Sequence, residues 1–504
     1  MSAVVTPPRS LQPLLAGLVA MPVIDCPITG LASDSRQVRK GDLFLATRGL
    51  RHHGLEFLPA VRRAGAAAAV WEPPYAGGIV AAADFPLVAV EDLGRKLGLI
   101  ASRFYGEPAR HLELVGITGT DGKTSCAHFI AQSLSKEGHA CGILGTLGYG
   151  IYGHTAPSSH TTPDALTLQR LLADLRAQGV RSVIMEVSSH ALEQGRVAGL
   201  DFTVAVLTNL TRDHLDYHGS LAAYAQAKQR LFVDHRPRHI VLNADDAFGR
   251  ELAADLCERT PIVRYGLESV LAGGPGRFVG AKALELTPTG LSLWVTSSWG
   301  EGTLHAPLLG RFNAGNLLAA LATLLVLEVP FAEALRRLSR VTTVPGRMEC
   351  LGGKGGQPLA VVDYAHTPYA LEKALSALKE HGRGRLWCVF GCGGDRDPGK
   401  RAPMGRIAEH YADRVIVTDD NPRSEDPQRI IRAILAGMQH PERVPVLRER
   451  KQAITEALNG ATAEDIVLIA GKGHEDYQLL GTERLPFSDR AVVCQWLEDK
   501  TWRP

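Results

Sequence analysis

Short runs of apolar residues alternate along this chain with longer segments in which apolar side chains recur every three or four positions. This alternation predicts buried strands separated by helices, an order that is typical of α/β folds with parallel sheets. The predicted strands are residues 42–46, 86–90, 111–115, 182–185, 205–207, 239–242, 291–295, 360–362, 386–390, 414–418 and 466–470. The predicted helices are residues 14–24, 60–68 and 316–327, with a further helix that follows a glycine-rich turn and ends at Gly138.

Two breaks in this pattern predict three domains. Residues 104–108 are typical of a linker, and the Val-Pro-Gly sequence at 344–346 marks a second crossing. A length of 504 residues also exceeds what one hydrophobic core usually serves. We therefore expect domains at 1–108, 109–342 and 343–504. In this α/β chain, the central domain has a P-loop-type, mostly parallel sheet, and the C-terminal domain is Rossmann-like and doubly wound.

Charge and composition exclude several kinds of partner. Lys and Arg number 55 against 53 Asp and Glu, so the net charge of +2 indicates neither a nucleic-acid surface nor a membrane surface. The eight cysteines form no CxxC pair, which favours a reducing compartment over disulfides or structural zinc. Pro13 and Pro22 interrupt the apolar run near the N-terminus, so we expect a helix there rather than a signal peptide. The apolar run at 317–327 is too short to span a bilayer, and we expect a cytoplasmic protein.

The strongest chemical signal is the stretch GITGTDGKT at residues 116–124, which lies between a predicted strand and a predicted helix. The backbone N–H groups of such a turn bind phosphate, Lys123 can reach the terminal phosphates, and Thr124 can offer its hydroxyl to Mg²⁺. The strict phosphate-loop template requires glycine where this chain has Ile117, with Gly116 displaced by one position. An ordinary glycine turn is therefore the alternative, and we favour ATP binding.

Polar residues follow two further strands of the predicted central sheet. Glu186 ends one strand, and His214 lies in the loop after the next. Taken singly, Glu186 is most simply a helix-capping residue and His214 an ordinary loop residue. Because parallel strands place their carboxyl ends at one edge of a sheet, their combination with the phosphate loop favours magnesium binding.

The third domain carries arginines at its predicted strand ends. Arg396 follows one strand and Arg423 follows the next, where Pro422 restricts the local backbone. Two guanidinium groups at one edge of a sheet indicate a small acidic substrate, although pairing with nearby aspartates is the alternative. The segment from Gly471 to Glu475 lies at the end of a third strand. Its glycines allow a ligand to come close to the backbone, and Glu475 adds a carboxylate. ATP with an acidic substrate predicts carboxylate activation through an acyl phosphate.

Four blocks of the sequence together resemble the Mur ligase family, and the resemblance covers essentially the whole chain. They are GTDGKT at 119–124, MEVSSH at 185–190, DHLDYH at 213–218 and DYAHTP at 363–368. One departure is Asp121, where the family usually has asparagine, and its carboxylate would bring negative charge close to ATP. The resemblance implies roles for the residues at matching positions.

The implied catalytic residues are Lys123, Glu186, His214 and Lys228, with Thr124, Glu186, His214 and a carbamylated Lys228 holding Mg²⁺. The implied ATP contacts are Gly119, Thr120, Asp121, Gly122, Lys123, Thr124, Asn316, Arg347 and Asp363. The implied contacts to a UDP-muramoyl dipeptide are Ser33, Ser35, Thr161, Thr162, Ser188, Gln194 and Arg196, although the polar turn at Ser33 and Ser35 could equally cap local structure. The implied diaminopimelate contacts are Arg396, Asn421, Pro422, Arg423, Ser424, Gly471 and Glu475.

The implied activity is the ATP- and Mg²⁺-dependent addition of meso-diaminopimelate to the D-glutamate of UDP-N-acetylmuramoyl-L-alanyl-D-glutamate. This is a cytoplasmic step of peptidoglycan synthesis, and we expect a monomer without nucleic-acid partners or membrane insertion. A lysine-adding ligase is the nearest alternative, and Arg423 is the residue that discriminates. A folylpolyglutamate synthetase would need neither the two arginines nor the N-terminal domain. A nucleotide-dependent binding protein without catalysis would leave Lys228 and His214 dispensable.

Overall fold

The computed structural model describes residues 7–19, 24–49, 51–78, 85–135, 139–158, 160–268, 274 and 276–501. The chain divides into two compact units, of which the first comprises residues 1–279 and 319–329 and the second comprises residues 280–318 and 330–504. Three separate regions of α/β structure are nevertheless visible within these units, each with its own parallel strands. The residue limits of the three expected domains stay a prediction.

The N-terminal part of the first unit is built on a small parallel sheet with strand order β3-β4-β5-β6. Strand β4 is entirely buried, and its residues Leu43 and Leu45 share one apolar core with Val70 and Phe104. The elements are β1 (Arg9–Ser10), α1 (Leu11–Leu14), β2 (Pro27–Ile28), β3 (Gly30–Ala32), β4 (Asp42–Ala46), α2 (Leu58–Arg63), β5 (Ala68–Trp71), β6 (Leu87–Ala89) and α3 (Leu93–Phe104), with 3₁₀ turns at Gly54–Phe57 and Pro108–His111.

The central sheet of the first unit has strand order β10-β9-β8-β11-β7-β12-β13-β14, in which all neighbours from β8 to β14 are parallel. The elements are β7 (Glu113–Thr118), α4 (Lys123–Leu134), β8 (Cys141–Gly145), β9 (Gly148–Ile151), β10 (His154–Ala156), α5 (Ala165–Ala177), β11 (Ser182–Glu186), α6 (Ser189–Glu193), β12 (Val204–Leu207), α7 (Leu215–His218), α8 (Leu221–Val233), β13 (His239–Asn243), α9 (Ala247–Leu256) and β14 (Ile262–Gly266). The loops after β8, β11, β7 and β12 therefore meet at one edge of this sheet.

The second unit contains a sheet with strand order β18-β19-β22-β20-β21, in which only β18 is antiparallel to its neighbour. The elements, from the strand that leads into this unit, are β15 (Arg277–Thr287), β16 (Gly290–Ser297), β17 (Gly300–Ala306), α10 (Arg311–Val326), α11 (Phe331–Leu338), β18 (Glu349–Gly352), β19 (Leu359–Asp363), α12 (Pro368–His381), β20 (Leu386–Phe390), α13 (Arg401–Tyr411), β21 (Arg414–Val417), α14 (Pro427–Leu435), α15 (Arg450–Gly460), β22 (Ile466–Ala470), β23 (Tyr477–Leu480), β24 (Glu483–Pro486) and α16 (Asp489–Thr501), with 3₁₀ turns at Pro398–Lys400 and Pro441–Arg443.

Side chains on the two faces of this second sheet belong to different apolar cores, as alternation along a strand requires. Val361 and Cys388 pack with helices α12, α13 and α14 on one face. Val362 and Val389 pack with α15 and α16 on the other. The expected α/β architecture, with a mostly parallel central sheet and a doubly wound C-terminal region, is confirmed.

Most predicted strands are present, and several predicted elements differ in their bounds. The strand before the phosphate loop runs from Glu113 to Thr118 rather than over 111–115, so Ile117 is a buried strand residue and the turn itself is short. The helix predicted at 60–68 was wrong in its second half, because Gly65 takes a left-handed backbone and β5 begins at Ala68. The helix after the phosphate loop ends at Leu134, and Gly138 lies outside the described residues.

The apolar N-terminal run also differs from its prediction. The helix that it contains is α1, which ends at Leu14, and the following residues form turns in which Gly17 has a left-handed backbone. Residues 20–23 of the predicted helix lie outside the described residues. Within the described part of the chain, no helix is both long and apolar enough to span a bilayer.

A fully buried ion pair holds α16 against the rest of the second unit. Both side chains of the Arg450–Asp489 pair are inaccessible to solvent, and the guanidinium donates to the two Asp489 oxygens at 2.7 and 2.8 Å. A third bond runs from Arg450 Nη2 to the carbonyl of Ala470 at 3.0 Å. Because a buried charge is costly without its partner, this pair fixes how α15 and α16 pack.

We therefore expect Asp489→Asn to lower the unfolding free energy of the second unit by about 3–5 kcal/mol, since it leaves Arg450 buried without a counter-charge. Urea unfolding of the full chain, followed by intrinsic fluorescence, measures the change. The matched control is Asp476→Asn, which removes an exposed partner of Arg484 and should leave the midpoint unchanged. Equal midpoints for the two variants would contradict this assignment.

Candidate active site

The phosphate-loop turn lies between the end of β7 and the start of α4. Gly119 has a φ of +150°, and a Cβ atom placed on it would come within 1.8 Å of Thr208 Oγ1, so no other residue fits there. The loop after β12 holds the turn in place, because Thr208 donates to the carbonyl of Asp121 at 2.6 Å and Asn209 accepts from the N–H of Asp121 at 2.9 Å. Glycine at this position is therefore required by the contact with β12.

Lys123 is the first residue of α4, and its ammonium group folds back over the turn. Its Nζ donates to the carbonyls of Gly119 and Thr120 at 2.8 and 2.7 Å. The helix N-terminus and the N–H groups of the turn supply positive potential at the same place. This is the geometry of a phosphate cradle, with a lysine positioned to reach a bound anion.

Next to the turn, Glu186 ends β11 with only 1% of its surface exposed. Its carboxylate accepts from Thr124 Oγ1 at 2.9 Å, from Thr146 Oγ1 at 3.2 Å and from the N–H of Thr146 at 2.8 Å. Carboxylate and hydroxyl oxygens are the ligands that Mg²⁺ prefers, so the donor set at this position fits that ion. Across the described residues, no group of three or more His, Cys, Asp or Glu side chains is arranged to hold a metal.

Lys228 lies on α8 and is almost fully buried. Its Nζ donates to the carbonyl of Gly119 at 2.8 Å and lies 4.3 Å from the centre of the Tyr224 ring. Burial, assisted by the positive charge of Lys123, holds the pKa of Lys228 well below that of a free lysine, although Asp213 and Asp121 oppose this shift. A lysine with a depressed pKa is a nucleophilic amine, a property that sequence alone could not indicate.

His214 lies in a cluster of aromatic rings, and sequence reasoning missed the other members. Its ring centre lies 4.9 Å from that of His190, which in turn packs 4.2 Å from Tyr217 and 5.4 Å from His218. Burial and the neighbouring histidines lower the pKa of His190, and burial lowers the pKa of His218. These rings pack around His214, whose Nε2 also lies 3.4 Å from Asp213 Oδ2.

The predicted muramoyl-dipeptide contacts of the central domain form one hydrogen-bonded group. Thr162 Oγ1 donates to the carbonyl of Glu186 at 2.9 Å and accepts from the N–H of Ser188 at 3.1 Å. Arg196 donates to the carbonyl of Thr162 at 2.9 Å and to Gln194 Oε1 at 2.6 and 2.9 Å. Thr161 joins the group through the hydroxyl of Thr146, at 3.1 Å. These polar groups therefore surround the Glu186 strand end.

Ser33 and Ser35 lie apart from this group. They belong to the turn after β3, in which Asp34 binds Arg36 at 2.7 Å and that guanidinium lowers the pKa of the carboxyl to about 2. Within the described residues, no hydrogen bond joins the two serines to the Glu186 group. Their role in substrate binding stays a prediction.

Two of the predicted nucleotide contacts of the second unit, Asp363 and Arg347, lie near the end of β19, and the third, Asn316, lies in a helix. Asp363 ends β19 and accepts from the N–H groups of Met348 and Ala365 at 2.7 and 2.8 Å, while burial raises the pKa of its carboxyl and Arg347 opposes that shift. The Arg347 guanidinium lies 4.8 Å over the ring of Tyr364. Asn316 lies within α10, where it donates to Asn313 at 3.1 Å.

The loops after β20 and β21 bring the two predicted substrate arginines together. A Cβ atom placed on Gly393 would lie 2.9 Å from Arg423 Nη1 and 3.7 Å from Arg396 Cγ, so both side chains lie beside this glycine. Arg423 has a left-handed backbone with a φ of +55°, and its Nη1 donates to the carbonyl of Gly394 at 2.9 Å. The structure thus places both arginines beside one glycine, and their joint role in binding a substrate stays a prediction.

A third strand end completes this pocket. Asn421 donates to Glu475 Oε2 at 2.9 Å. Gly471 has a φ of +118°, and a Cβ atom there would lie 2.5 Å from Asp420 Oδ2. The hairpin of β23 and β24 pairs with Arg423, whose N–H donates to the carbonyl of Leu479 at 3.1 Å. Sequence reasoning gave no role to this hairpin.

Ser424 and Glu425 tie two of these loops to each other. The N–H and hydroxyl of Ser424 donate to Asp395 Oδ2 at 2.9 and 2.8 Å. Glu425 accepts two bonds of 2.7 Å from the buried Arg401, which lowers the pKa of the Glu425 carboxyl to about 2. The Arg401–Glu425 pair was not anticipated from the sequence, although both residue types are common in such pairs.

The pH dependence of stability tests this pair. Since the pKa of Glu425 is lower in the folded state, its contribution is complete above about pH 4.5 and is lost as the pH falls towards 2. We expect Glu425→Gln to be destabilising at pH 6, with a difference from the unaltered chain that shrinks steadily towards pH 3. Urea midpoints at several pH values measure it, and a difference independent of pH over this range would contradict the ionic role.

Comparisons with known proteins give three matching domain families. Sequence profiles described as the Mur ligase middle domain, the Mur ligase glutamate ligase domain and the Mur ligase family catalytic domain match residues 117–324, 346–473 and 27–105.

Among curated relatives, a UDP-N-acetylmuramoyl-L-alanyl-D-glutamate–2,6-diaminopimelate ligase from Alkalilimnicola ehrlichii is 52% identical, over 94% of this chain and 96% of its own length. The protein of the same name from Pseudomonas aeruginosa is 50% identical, over 92% of this chain and 94% of its own. A solved structure of a ligase with this name is 34% identical, with a TM-score of 0.75 over 98% of this chain and 100% of that one.

Proposed function

This chain belongs to the Mur ligase family, and on that premise we propose that it is an ATP-dependent amide ligase. Its substrates are UDP-N-acetylmuramoyl-L-alanyl-D-glutamate and meso-2,6-diaminopimelate, as the names of its relatives state for those proteins. The observation that carries the proposal is the shared strand edge at which the phosphate cradle of Lys123 directly adjoins the polar group around Glu186. The hydroxyl of Thr124 links the two.

The phosphate-loop turn and Lys123 hold the phosphates of ATP. We assign Mg²⁺ to Thr124, Glu186, His214 and a carbamate on Lys228, where it would neutralise phosphate charge. Asp121 adds a carboxylate close to this position, and it offsets part of the positive charge of the two lysines, as its influence on the pKa of Lys228 indicates. We also assign three residues of the second unit, Asn316, Arg347 and Asp363, to ATP binding.

The dipeptide is held by Thr161, Thr162, Ser188, Gln194 and Arg196, with the uridine end at Ser33 and Ser35. An oxygen of the D-glutamate side-chain carboxylate attacks the γ-phosphorus of ATP, an O–P bond forms, and ADP leaves. The resulting acyl phosphate is attacked by an amine nitrogen that has lost one proton. The new C–N bond displaces inorganic phosphate, which carries away one oxygen of the original carboxylate.

The amine is selected in the second unit. Diaminopimelate carries a distal carboxylate that lysine lacks, and Arg396 and Arg423 together supply a guanidinium pair for it. Asn421, Pro422, Ser424, Gly471 and Glu475 form the rest of the pocket. A lysine in the same place would offer Arg423 no distal carboxylate, so the site favours diaminopimelate over lysine.

The product is a precursor of peptidoglycan, so we place the reaction in the cytoplasm and expect its loss to affect cell shape, cell division and the cell cycle. The protein acts as a monomer in this proposal. No nucleic acid or membrane takes part.

The proposal is tested by ADP release with ATP, Mg²⁺ and the UDP-muramoyl dipeptide, with meso-diaminopimelate or L-lysine as the amine. We expect turnover with diaminopimelate and at least roughly a hundredfold lower kcat/KM with lysine, because lysine lacks the distal carboxylate that the two arginines would bind. Arg423→Ala should raise the KM for diaminopimelate with little change in that for ATP.

The matched control is Lys123→Ala, which should abolish turnover with either amine while the chain stays folded. Preference for lysine would keep the ligase and overturn the amine assignment. Absence of turnover with both amines in folded protein would contradict the proposed reaction.

Carbamylation of Lys228 makes a separate prediction. A buried amine with a depressed pKa can attack CO₂, forming an N–C bond and releasing one proton. With ¹³C-bicarbonate, we expect a carbamate signal in the ¹³C NMR spectrum that disappears in Lys228→Ala together with most activity. A signal that persists in the variant, or full activity without any signal, would contradict the assignment; Lys451→Ala, a lysine outside the site, is the control.

A further inference from the structure

Lys472 is a buried lysine to which the proposed reaction gives no role. It follows β22 directly and has no solvent-accessible surface. Its neighbours in sequence are both glycines with positive φ, at +118° for Gly471 and +52° for Gly473. A Cβ atom on Gly473 would lie 2.7 Å from the carbonyl of Gly346 and from Cβ of Tyr364, so only glycine fits beside Lys472 at this position.

The Nζ of Lys472 contacts the two polar side chains that were assigned to diaminopimelate. It donates to Asn421 Oδ1 at 3.1 Å and to Glu475 Oε2 at 3.1 Å, and it lies 5.4 Å from the centre of the Tyr477 ring. The ammonium therefore joins two strand ends, those of β21 and β22, across the pocket. Its partners are 2% exposed for Asn421 and partly exposed for Glu475.

These contacts fix the orientation of the Asn421 amide. Its Oδ1 accepts from Lys472 and from the N–H of Leu479 at 2.9 Å, while its Nδ2 donates to Glu475 Oε2 at 2.9 Å. A rotated amide would place an NH₂ group against two donors. Removing the lysine would therefore release one of the two constraints on the amide oxygen and leave Glu475 with a single neutral donor.

The same contacts leave one oxygen of Glu475 available. Oε2 accepts from both Lys472 and Asn421, whereas Oε1 has no hydrogen-bond partner among the residues that the structure describes. A carboxylate held by one oxygen presents the other in a defined direction. Such an oxygen suits the ammonium group of an amino acid.

We propose that Lys472 is a positioning residue for the amine substrate, which holds Asn421 and Glu475 in the orientation that binds an α-amino acid ammonium. This inference rests on the proposed function. The energetic argument is that a buried lysine is costly unless it is paired, and here both partners belong to the substrate pocket rather than to the apolar core. The contacts that offset the cost of burying Lys472 are thus made by the same side chains that would bind the amine.

The test is steady-state kinetics of Lys472→Met, which keeps the apolar stem and removes the charge. We expect the KM for meso-diaminopimelate to rise roughly tenfold or more, while the KM values for ATP and the UDP-muramoyl dipeptide change less than about twofold. In the Glu475→Gln background the same substitution should add little, because Lys472 acts through Glu475.

Lys472→Gln, which keeps an N–H donor, should give a smaller rise in the same KM and serves if the methionine variant does not fold. The matched control is Asp465→Asn. Asp465 is a buried charged residue at the opposite end of the same strand, bonded to Arg385 and Trp387. It should lower thermal stability without a selective effect on the amine.

A parallel change in all three KM values, an unchanged KM for diaminopimelate, or fully additive effects with Glu475→Gln would each overturn the inference. Turnover by the unaltered chain distinguishes failure of the proposed function from failure of the role given to Lys472. If that chain shows no diaminopimelate-dependent ADP release, the proposed function fails, and the inference fails with it. If it shows that release and Lys472→Met matches it in KM, only the inference fails.

Discussion

The carbonyl oxygen of Gly119 accepts hydrogen bonds from two lysines, and the chemistry of the first unit depends on this arrangement. Lys123 and Lys228 each donate to it at 2.8 Å. Two ammonium groups so close together repel each other, and the buried one is the less favoured in its charged form. The pKa of the buried Lys228 is therefore lowered, by burial and by the nearby charge of Lys123.

This arrangement follows from the parallel sheet beneath it. Gly119 follows β7 directly, and its contact with Thr208, the residue after β12, excludes any side chain there. The turn is thus held by its neighbouring strand, and α8 brings Lys228 underneath. The second unit uses the same principle, because Arg423, Asn421 and Glu475 all follow the carboxyl ends of parallel strands. In both units, the polar side chains of the proposed sites follow the carboxyl ends of parallel strands.

The sequence predicted the strands and the strand-end motifs well, because an apolar run followed by glycine and charge has few other structural meanings. The strand edge at Glu186 and the convergence of Arg396 with Arg423 were predictable on that ground. Contacts between distant segments were not. Lys472 is conspicuous only once the loops after β21 and β22 are known to meet, and the Arg401–Glu425 pair only once the start of α13 is known to lie beside the loop after β21. Likewise, the depressed pKa of Lys228 depends on its burial and on the charge of Lys123, which is distant along the chain and which the fold brings close to it.

The left-handed backbone of Arg423 is another feature that the sequence could not predict, because it depends on a contact with a distant segment. Its φ of +55° is uncommon for a non-glycine residue, and the hairpin that pairs with it lies more than fifty residues later. Local preference would have placed this arginine in an extended turn, whereas pairing with Leu480 imposes the observed conformation. The sequence therefore revealed the arginine, whereas its backbone conformation depends on tertiary contacts.

The central claim is that the carboxylate is activated as an acyl phosphate at the Lys123 site, and oxygen transfer tests it most directly. Both oxygens of the D-glutamate side-chain carboxylate in the UDP-muramoyl dipeptide are labelled with ¹⁸O, and the inorganic phosphate formed with ATP and meso-diaminopimelate is analysed by mass spectrometry. The account predicts one ¹⁸O atom in each phosphate released. Phosphate without ¹⁸O, alongside normal amide formation, would contradict it.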